Sequence, residues 1–316
     1  MKRAFVTGGS GFVGGRLIPA LRARGVEVIA LARSDKSAAI VEQLGATAAR
    51  GDLDDRAALE AGMRGSDVVF HAAAHTDQFD PVEIHMRITT QGTKNVLEAA
   101  KAAGVARLVH VGTEAVLADG RPIVRADETR PIPAKAMGAY PLTKGLAEQA
   151  VLAANGSALE TVVVRPRFIW GKGDTSLLPE LVAAVNAGKF AWIAGGRYLT
   201  STTHVDNVIE GMLLAAESGG PGQIYFLSDG EPVEFRDFIT KLLATQGIDV
   251  ANARSLPRWL ARTTVALTAW MKRPPLTRTA FALMAHEVTV DDSKARRELG
   301  YKSTTSIADG LAAMRS

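Results

Sequence analysis

The 316-residue chain contains no cysteine, which excludes disulfides, thiol catalysis and cysteine-ligated zinc, and no metal site is expected. It also lacks any long hydrophobic run. The apolar stretch at the N-terminus is too short for a signal peptide and passes directly into glycines. The most apolar late segment, WLARTTVALTAWM (259–271), carries Arg262 and is too short to span a bilayer. The expected location is therefore the cytoplasm. Dense lysine and arginine blocks are missing too. The net charge of +4 and pI of about 9.4 come from scattered arginines, so no nucleic-acid partner is expected. Internal repeats and low-complexity linkers are likewise absent.

What remains is a soluble globular composition, 47% apolar and 22% charged, on a chain long enough for a large core. Short apolar runs at 3–7, 27–32, 46–50, 67–72, 107–112 and 160–166 alternate with helix-like stretches at 12–24, 35–44, 54–62, 82–103 and 138–155. Strands that read as unbroken apolar runs belong to a parallel sheet covered on both faces. The β-α-β alternation predicts an α/β, doubly wound parallel sheet. After Pro166 the rhythm changes. One helix is expected at 176–188, another at 203–217 with Asp206 as its N-cap, and a strand at 223–229 that rejoins the sheet edge. From 234 the chain reads as mainly helical, and 291–300 has an N-terminal cap and a closing glycine. The expected division is a dinucleotide-binding unit, 1–165 with 203–228 returning to it. A smaller, interleaved, mainly helical substrate unit takes 166–202 and 229–316.

The run VTGGSGFVGG follows the first strand and opens the first helix, spacing Gly8, Gly11 and Gly14 as G-x-x-G-x-x-G. Glycines there permit a tight turn, close approach to a diphosphate and close helix–strand contact. With Ser10, Phe12 and Val13 they offer a helix N-terminus to the phosphates. The second strand ends in IALARSDKS, with no acid until Asp35. NAD-preferring enzymes place an acid at that point to hold the ribose hydroxyls, whereas the guanidinium of Arg33 suits a 2′-phosphate. NADP(H) is the favoured cofactor, with NAD as the alternative. Asp52 and Leu53, after the third strand, are placed at the adenine. Ala72, Ala73 and Ala74, after the fourth, give small side chains where backbone passes close under a dinucleotide.

In AYPLTKG (139–145) a proline separates Tyr140 from Lys144. Proline is harmless in a first helical turn, where its missing N–H has no intrahelical partner, so the helix is expected to begin near Gly138 or Ala139. Tyr140 and Lys144 then share a face. An ammonium nearby would lower the phenol pKa and fit Tyr140 for proton transfer during hydride exchange. Thr113, just past the fifth strand, is placed to orient a substrate oxygen.

TGGSGFVG, GDLDD, HAAA, GTEAV, YPLTK and RPRFIWG together resemble the extended short-chain dehydrogenase/reductase superfamily over essentially the whole chain. The resemblance implies a catalytic Thr113–Tyr140–Lys144 set, with Lys144 also holding the nicotinamide ribose. It implies that RPRFIWG, including Pro166 and Ile169, passes the nicotinamide end and starts the substrate lobe. Where the family often has asparagine in an N-V-x-G-T run, this chain has Thr89, so that polar role is missing or moved to the threonine. Helices 82–103 and 138–155 are surfaces the superfamily often pairs, implying a homodimer.

Three branches compete. Dehydratases usually follow the threonine with Asp-Glu, whereas Glu114 and Ala115 stand here. Epimerases usually place an arginine five residues before the valine of their V-D-D run, where this chain has Thr200. HVDNV (204–208) and RPRFIWGKGD (165–174) instead resemble the 3β-hydroxysteroid dehydrogenase and dihydroflavonol reductase-like branches. The expected substrate is a hydrophobic or ring-bearing secondary alcohol or ketone. A nucleotide-sugar epimerase or dehydratase, or a non-catalytic dinucleotide-binding protein, are the alternatives. The segment 255–276, with Trp259, Leu267 and Trp270, suits a lid, a membrane-surface contact or an ordinary core helix; membrane contact is the least expected of the three.

Overall fold

The structure, a computed structural model, describes residues 1–315. Seven apolar segments form one parallel sheet: β1 (Arg3–Thr7), β2 (Glu27–Ala32), β3 (Thr47–Arg50), β4 (Val68–His71), β5 (Arg107–Val111), β6 (Glu160–Pro166) and β7 (Ile224–Leu227). Their order is β3-β2-β1-β4-β5-β6-β7. Alternation along each strand feeds two cores. Ala4 and Val6 of β1 face one hydrophobic cluster and Phe5 faces the other, which is why a strand covered on both sides reads as a continuous apolar run. The doubly wound expectation is met, and β7 returns to the edge beside β6.

The helices are α1 (Phe12–Ala23), α2 (Asp35–Gln43), α3 (Arg56–Met63), α4 (Val82–His85), α5 (Gly92–Ala102), α6 (Ala139–Ala153), α7 (Leu177–Asn186), α8 (Val205–Ser218), α9 (Phe235–Ala244), α10 (Arg258–Thr268), α11 (Arg278–Met284), α12 (Ser293–Leu299) and α13 (Ile307–Met314). No described helix is long and apolar enough to cross a membrane. The helix expected over 82–103 is divided: α4 and α5 are joined by a π turn, Met86–Gln91. Side-chain bonds pin that turn on both sides. Thr90 Oγ1 donates to the Thr143 carbonyl at 3.2 Å, and Thr89 Oγ1 accepts from His75 N–H at 3.0 Å. Such turns cost regular helix geometry and recur at functional sites.

The start of α8 corrects the expected N-cap. Residues Thr203–His204 are still paired with Ile169–Trp170 as strand, so the cap is His204, whose Nδ1 accepts from Asp206 N–H at 3.3 Å. Asp206 lies inside the first turn and pairs with Arg16 of α1 at 3.0 Å. The helix over 293–299 does close on Gly300, at φ +67°.

Beyond the main sheet, a four-stranded sheet is assembled from distant pieces, in the order Val233–Glu234, Leu199–Thr200, Val288–Val290, Ile123–Ala126. Ile123–Ala126 is a strand with no counterpart in the sequence reading. It leaves the stretch after β5 to pair with Val288–Val290. Trp170, Trp192, Phe235 and Phe238 centre a separate core beneath it with α7 and α9.

Candidate active site

The first turn after β1 is built by exclusion. Gly8 has φ +72°, and a Cβ there would stand 2.8 Å from Ala73 N, so the loops after β1 and β4 touch backbone to backbone. Gly14 is tighter still: its Cβ would come to 2.2 Å from the Gly8 carbonyl oxygen. Gly11 differs, since its Cβ would meet only that same oxygen at 3.3 Å. It caps α1 without a side-chain bond, and the first turn holds no acid. Ser10 and Gly11 are exposed, with Phe12 and Val13 half-buried behind them. The open N–H groups and the positive end of the helix dipole fit a diphosphate.

At the end of β2, Ser34 caps α2 in a reciprocal bond pair with Ser37. Arg50 takes Asp35 in an ion pair, and Arg33 is exposed with no side-chain partner among the described residues. Asp52 Oδ1 accepts from Leu53 N–H at 2.7 Å, while Asn95 of α5 donates to the Leu53 carbonyl at 2.9 Å. Leu53 is buried against Gly92. Ala72, Ala73 and Ala74 are half-buried, and Ala73 N–H donates to Thr7 Oγ1 at 3.3 Å.

α6 begins at Ala139, capped by Gly138 at φ +123°. Pro141 therefore falls in the first turn, as its missing N–H requires. Another residue at Gly138 would be strained by its φ, and its Cβ would lie 2.3 Å from Thr279 Oγ1 of α11, so that side chain would have to move. Tyr140 sits at this helix mouth, close enough to Thr113 for that hydroxyl to act on its phenol. Lys144, buried one turn deeper, donates to the Val111 carbonyl at 2.6 Å and reaches His110 Nε2 at 3.5 Å. Burial pushes its pKa down to about 8, against the pull of Glu148. The phenol goes the other way from the expectation. Burial and then the Glu114 carboxylate push it up to about 12, and Thr113 only partly offsets this. With Lys144 turned to Val111, the charge that acts on the phenol is the Glu114 carboxylate.

Two residues at this point escaped the sequence reading. Glu114, buried, accepts from Thr113 Oγ1 at 3.0 Å and holds Arg167 Nη1 at 2.7 Å. Arg167 in turn donates to Thr200 Oγ1 at 3.3 Å and to the Leu283 carbonyl of α11 at 2.9 Å. Thr200, where an epimerase arginine was sought, is thus buried beneath another guanidinium. The signals were present as GTE and RPR, but their pairing spans 53 residues. Pro166 is buried at the end of β6 and Ile169 lies three residues on, half-buried against the core of the main sheet.

The 3-beta hydroxysteroid dehydrogenase/isomerase family model matches residues 5–258. The chain belongs to that family. A 4-hydroxy-2-methyl-3-oxo-4-farnesyl-3,4-dihydroquinoline-1-oxide ketoreductase from Stigmatella aurantiaca is 51% identical, over 99% of this chain and 96% of that protein. A 3-beta-hydroxysteroid dehydrogenase from Mycolicibacterium neoaurum is 32% identical, over 95% and 87%. Among solved structures, a dTDP-glucose 4,6-dehydratase from Streptomyces venezuelae with NAD bound is similar at TM-score 0.78 and 25% identity, covering 99% of this chain and 95% of that one. This member of the 3-beta hydroxysteroid dehydrogenase/isomerase family is an NAD(P)-dependent dehydrogenase/reductase of the extended short-chain type.

Proposed function

We propose that the protein interconverts a secondary alcohol and a ketone on a hydrophobic, ring-bearing substrate, with NADP(H) as cofactor. The observation that carries this is the convergence of Tyr140, at the mouth of α6, with the buried Thr113 and Glu114 just past the end of β5, both of which act on its phenol. Gly8, Ser10, Gly11, Phe12, Val13 and Gly14 would hold the diphosphate. Asp52 and Leu53 would hold the adenine, Ala72, Ala73 and Ala74 the underside, and Pro166 and Ile169 the nicotinamide end. Arg33, with no side-chain partner among the described residues, is the group suited to a 2′-phosphate. Bound there, the nicotinamide supplies or takes up hydride.

Tyr140 handles the proton. Burial and Glu114 keep the phenol protonated at neutral pH, the form that donates to a carbonyl oxygen in reduction. Thr113, held by the Ala115 N–H at 3.2 Å and by Glu114 at 3.0 Å, orients that oxygen. Lys144 lies one turn from Tyr140, where it would hold the ribose and moderate the phenol. The segments 166–202 and 229–316 would bind the substrate. A ketoreductase of a farnesylated ring among the relatives supports a large apolar ketone. The helices α4, α5 and α6 are the surface proposed for a homodimer, where Val82, Met86 and Leu142 are exposed; a monomeric mass at micromolar concentration would remove that part.

Tyr140→Phe tests the reaction. It keeps the ring and removes the proton, so ketone reduction should fall by roughly 100- to 10,000-fold while cofactor binding, followed by nicotinamide fluorescence, persists. Unchanged turnover would eliminate Tyr140 as the proton donor.

A further inference from the structure

Helix α10 and the turn after it present an unusual outer surface. The helix buries Ala261 and Val265 on one side. Its opposite side is apolar as well: Trp259 is 68% exposed and Leu267 69%. Trp270 follows at 83%. A helix that packs one apolar face and leaves the other bare has an unsatisfied surface. The core-helix expectation for 255–276 holds for the inner face, where Ala261 and Val265 pack with Ile193, Phe281 and Ala285, and leaves the outer face unaccounted for.

The charge around this surface says what covers it. Residues 250–286 contain six lysines and arginines and no aspartate or glutamate, in a chain that elsewhere mixes both signs. All six (Arg254, Arg258, Arg262, Lys272, Arg273, Arg278) are exposed. A water-soluble protein partner with an apolar groove would not require a segment of 37 residues without a single acid. Exposed tryptophans flanked along the chain by exposed cations match the boundary of an anionic bilayer, where indole rings sit at headgroup depth and cations meet lipid phosphates.

We propose that α10 and the turn through Arg273 dock reversibly on an anionic lipid surface. Continuity with the site gives the docking a purpose. The next helix, α11, is held against the catalytic end by Thr279 Oγ1 donating to the Met137 carbonyl at 2.9 Å, beside the Gly138 cap, and by Arg167 donating to Leu283. A ketone dissolved in the bilayer would thus enter from the side of the molecule that touches it. That delivery role rests on the proposed reaction; the docking does not.

Flotation of the full-length, cofactor-loaded protein with vesicles tests it. The probes are phosphatidylglycerol–phosphatidylcholine vesicles and phosphatidylcholine alone. Binding is expected to the anionic vesicles, weakened at least several-fold by 0.5 M salt, with a blue shift of tryptophan emission. Trp170 and Trp192 are fully buried, so a shift reports on Trp259 and Trp270. The double variant Trp259→Ala, Trp270→Ala and the charge variant Arg262→Glu, Lys272→Glu should each lose flotation at unchanged melting temperature. Failure of the parent to float with anionic vesicles, or full flotation of the tryptophan variant, overturns the proposal. So does a halved sedimentation mass in that variant, which would make a second copy the occupant. Turnover of a short water-soluble ketone is a separate readout: its absence alongside intact flotation would count against the proposed ketone reduction alone.

Discussion

Glu114 stands one residue after Thr113 and answers to three neighbours at once: the Thr113 hydroxyl, the Arg167 guanidinium and the Tyr140 phenol. Its charge disfavours the phenolate, so it keeps Tyr140 protonated into the alkaline range. Glu114→Gln removes that repulsion while an amide oxygen can still accept from Arg167. The phenol pKa then falls, and because reduction needs the protonated form, the alkaline decline in rate should move to lower pH, by up to about one unit. A pH–rate profile that does not move would detach Glu114 from the proton step. Arg33 makes the matching case for cofactor choice. It has no side-chain partner to lose among the described residues, so Arg33→Asp should leave stability within about 0.5 kcal/mol yet weaken NADPH binding at least tenfold more than NADH binding. Equal losses in a titration would remove the 2′-phosphate reading.

Among the elements, the glycine turn separates two demands that its spacing alone merges. Gly14 is needed by the fold, since a Cβ there collides with the Gly8 carbonyl and only backbone could give way. At Gly11 a Cβ would press on one atom only, the Gly8 carbonyl oxygen at 3.3 Å, which need shift by only a few tenths of an ångström, and the space it would enter lies at the open end of α1. Gly14→Ala should therefore lower stability by about 1–3 kcal/mol as well as cofactor affinity, whereas Gly11→Ala should reduce affinity with the unfolding midpoint nearly unchanged. Identical stability losses in urea titrations would contradict this division. The turn and the start of α6 were legible in the sequence because both obey local rules: glycine where no Cβ fits, proline where no N–H is needed. The elements that were not legible are set by distant partners. The π turn at Met86–Gln91 depends on Thr143 and His75, and Ile123–Ala126 becomes a strand only because Val288–Val290 lies beside it. The upward shift of Tyr140 has the same origin, since periodicity places Lys144 on its face but does not show Lys144 bonding to Val111.

Across the whole molecule, the strands that carry the site also carry a liability to acid. His71 on β4 and His110 on β5 lie side by side with ring centroids 5.2 Å apart, both fully buried. His71 is bonded through one nitrogen to Thr7 Oγ1 at 2.7 Å and through the other to Thr93 Oγ1 at 2.9 Å. Burial, and then the Lys144 charge, push His71 down to about 3. His110 is held well below its ordinary value by burial, Lys144 and His71. Neither imidazole can take up a proton in the folded protein at mild acidity, but both can once the chain unfolds. The unfolded state therefore binds more protons between about pH 6.5 and 3, and stability falls as pH drops through that window. Each such site contributes about 1.4 kcal/mol per pH unit, so His71 alone should cost roughly 2 kcal/mol between pH 6.5 and 5. Urea unfolding of the cofactor-free protein at pH 7.5, 6.5 and 5 measures this directly. His71→Gln should be less stable at neutral pH, having lost a shaped pair of bonds, yet lose less on acidification. Parallel stability–pH curves for parent and variant would show that the buried pair is not the source, because only a change in slope, and not in height, reports the proton taken up.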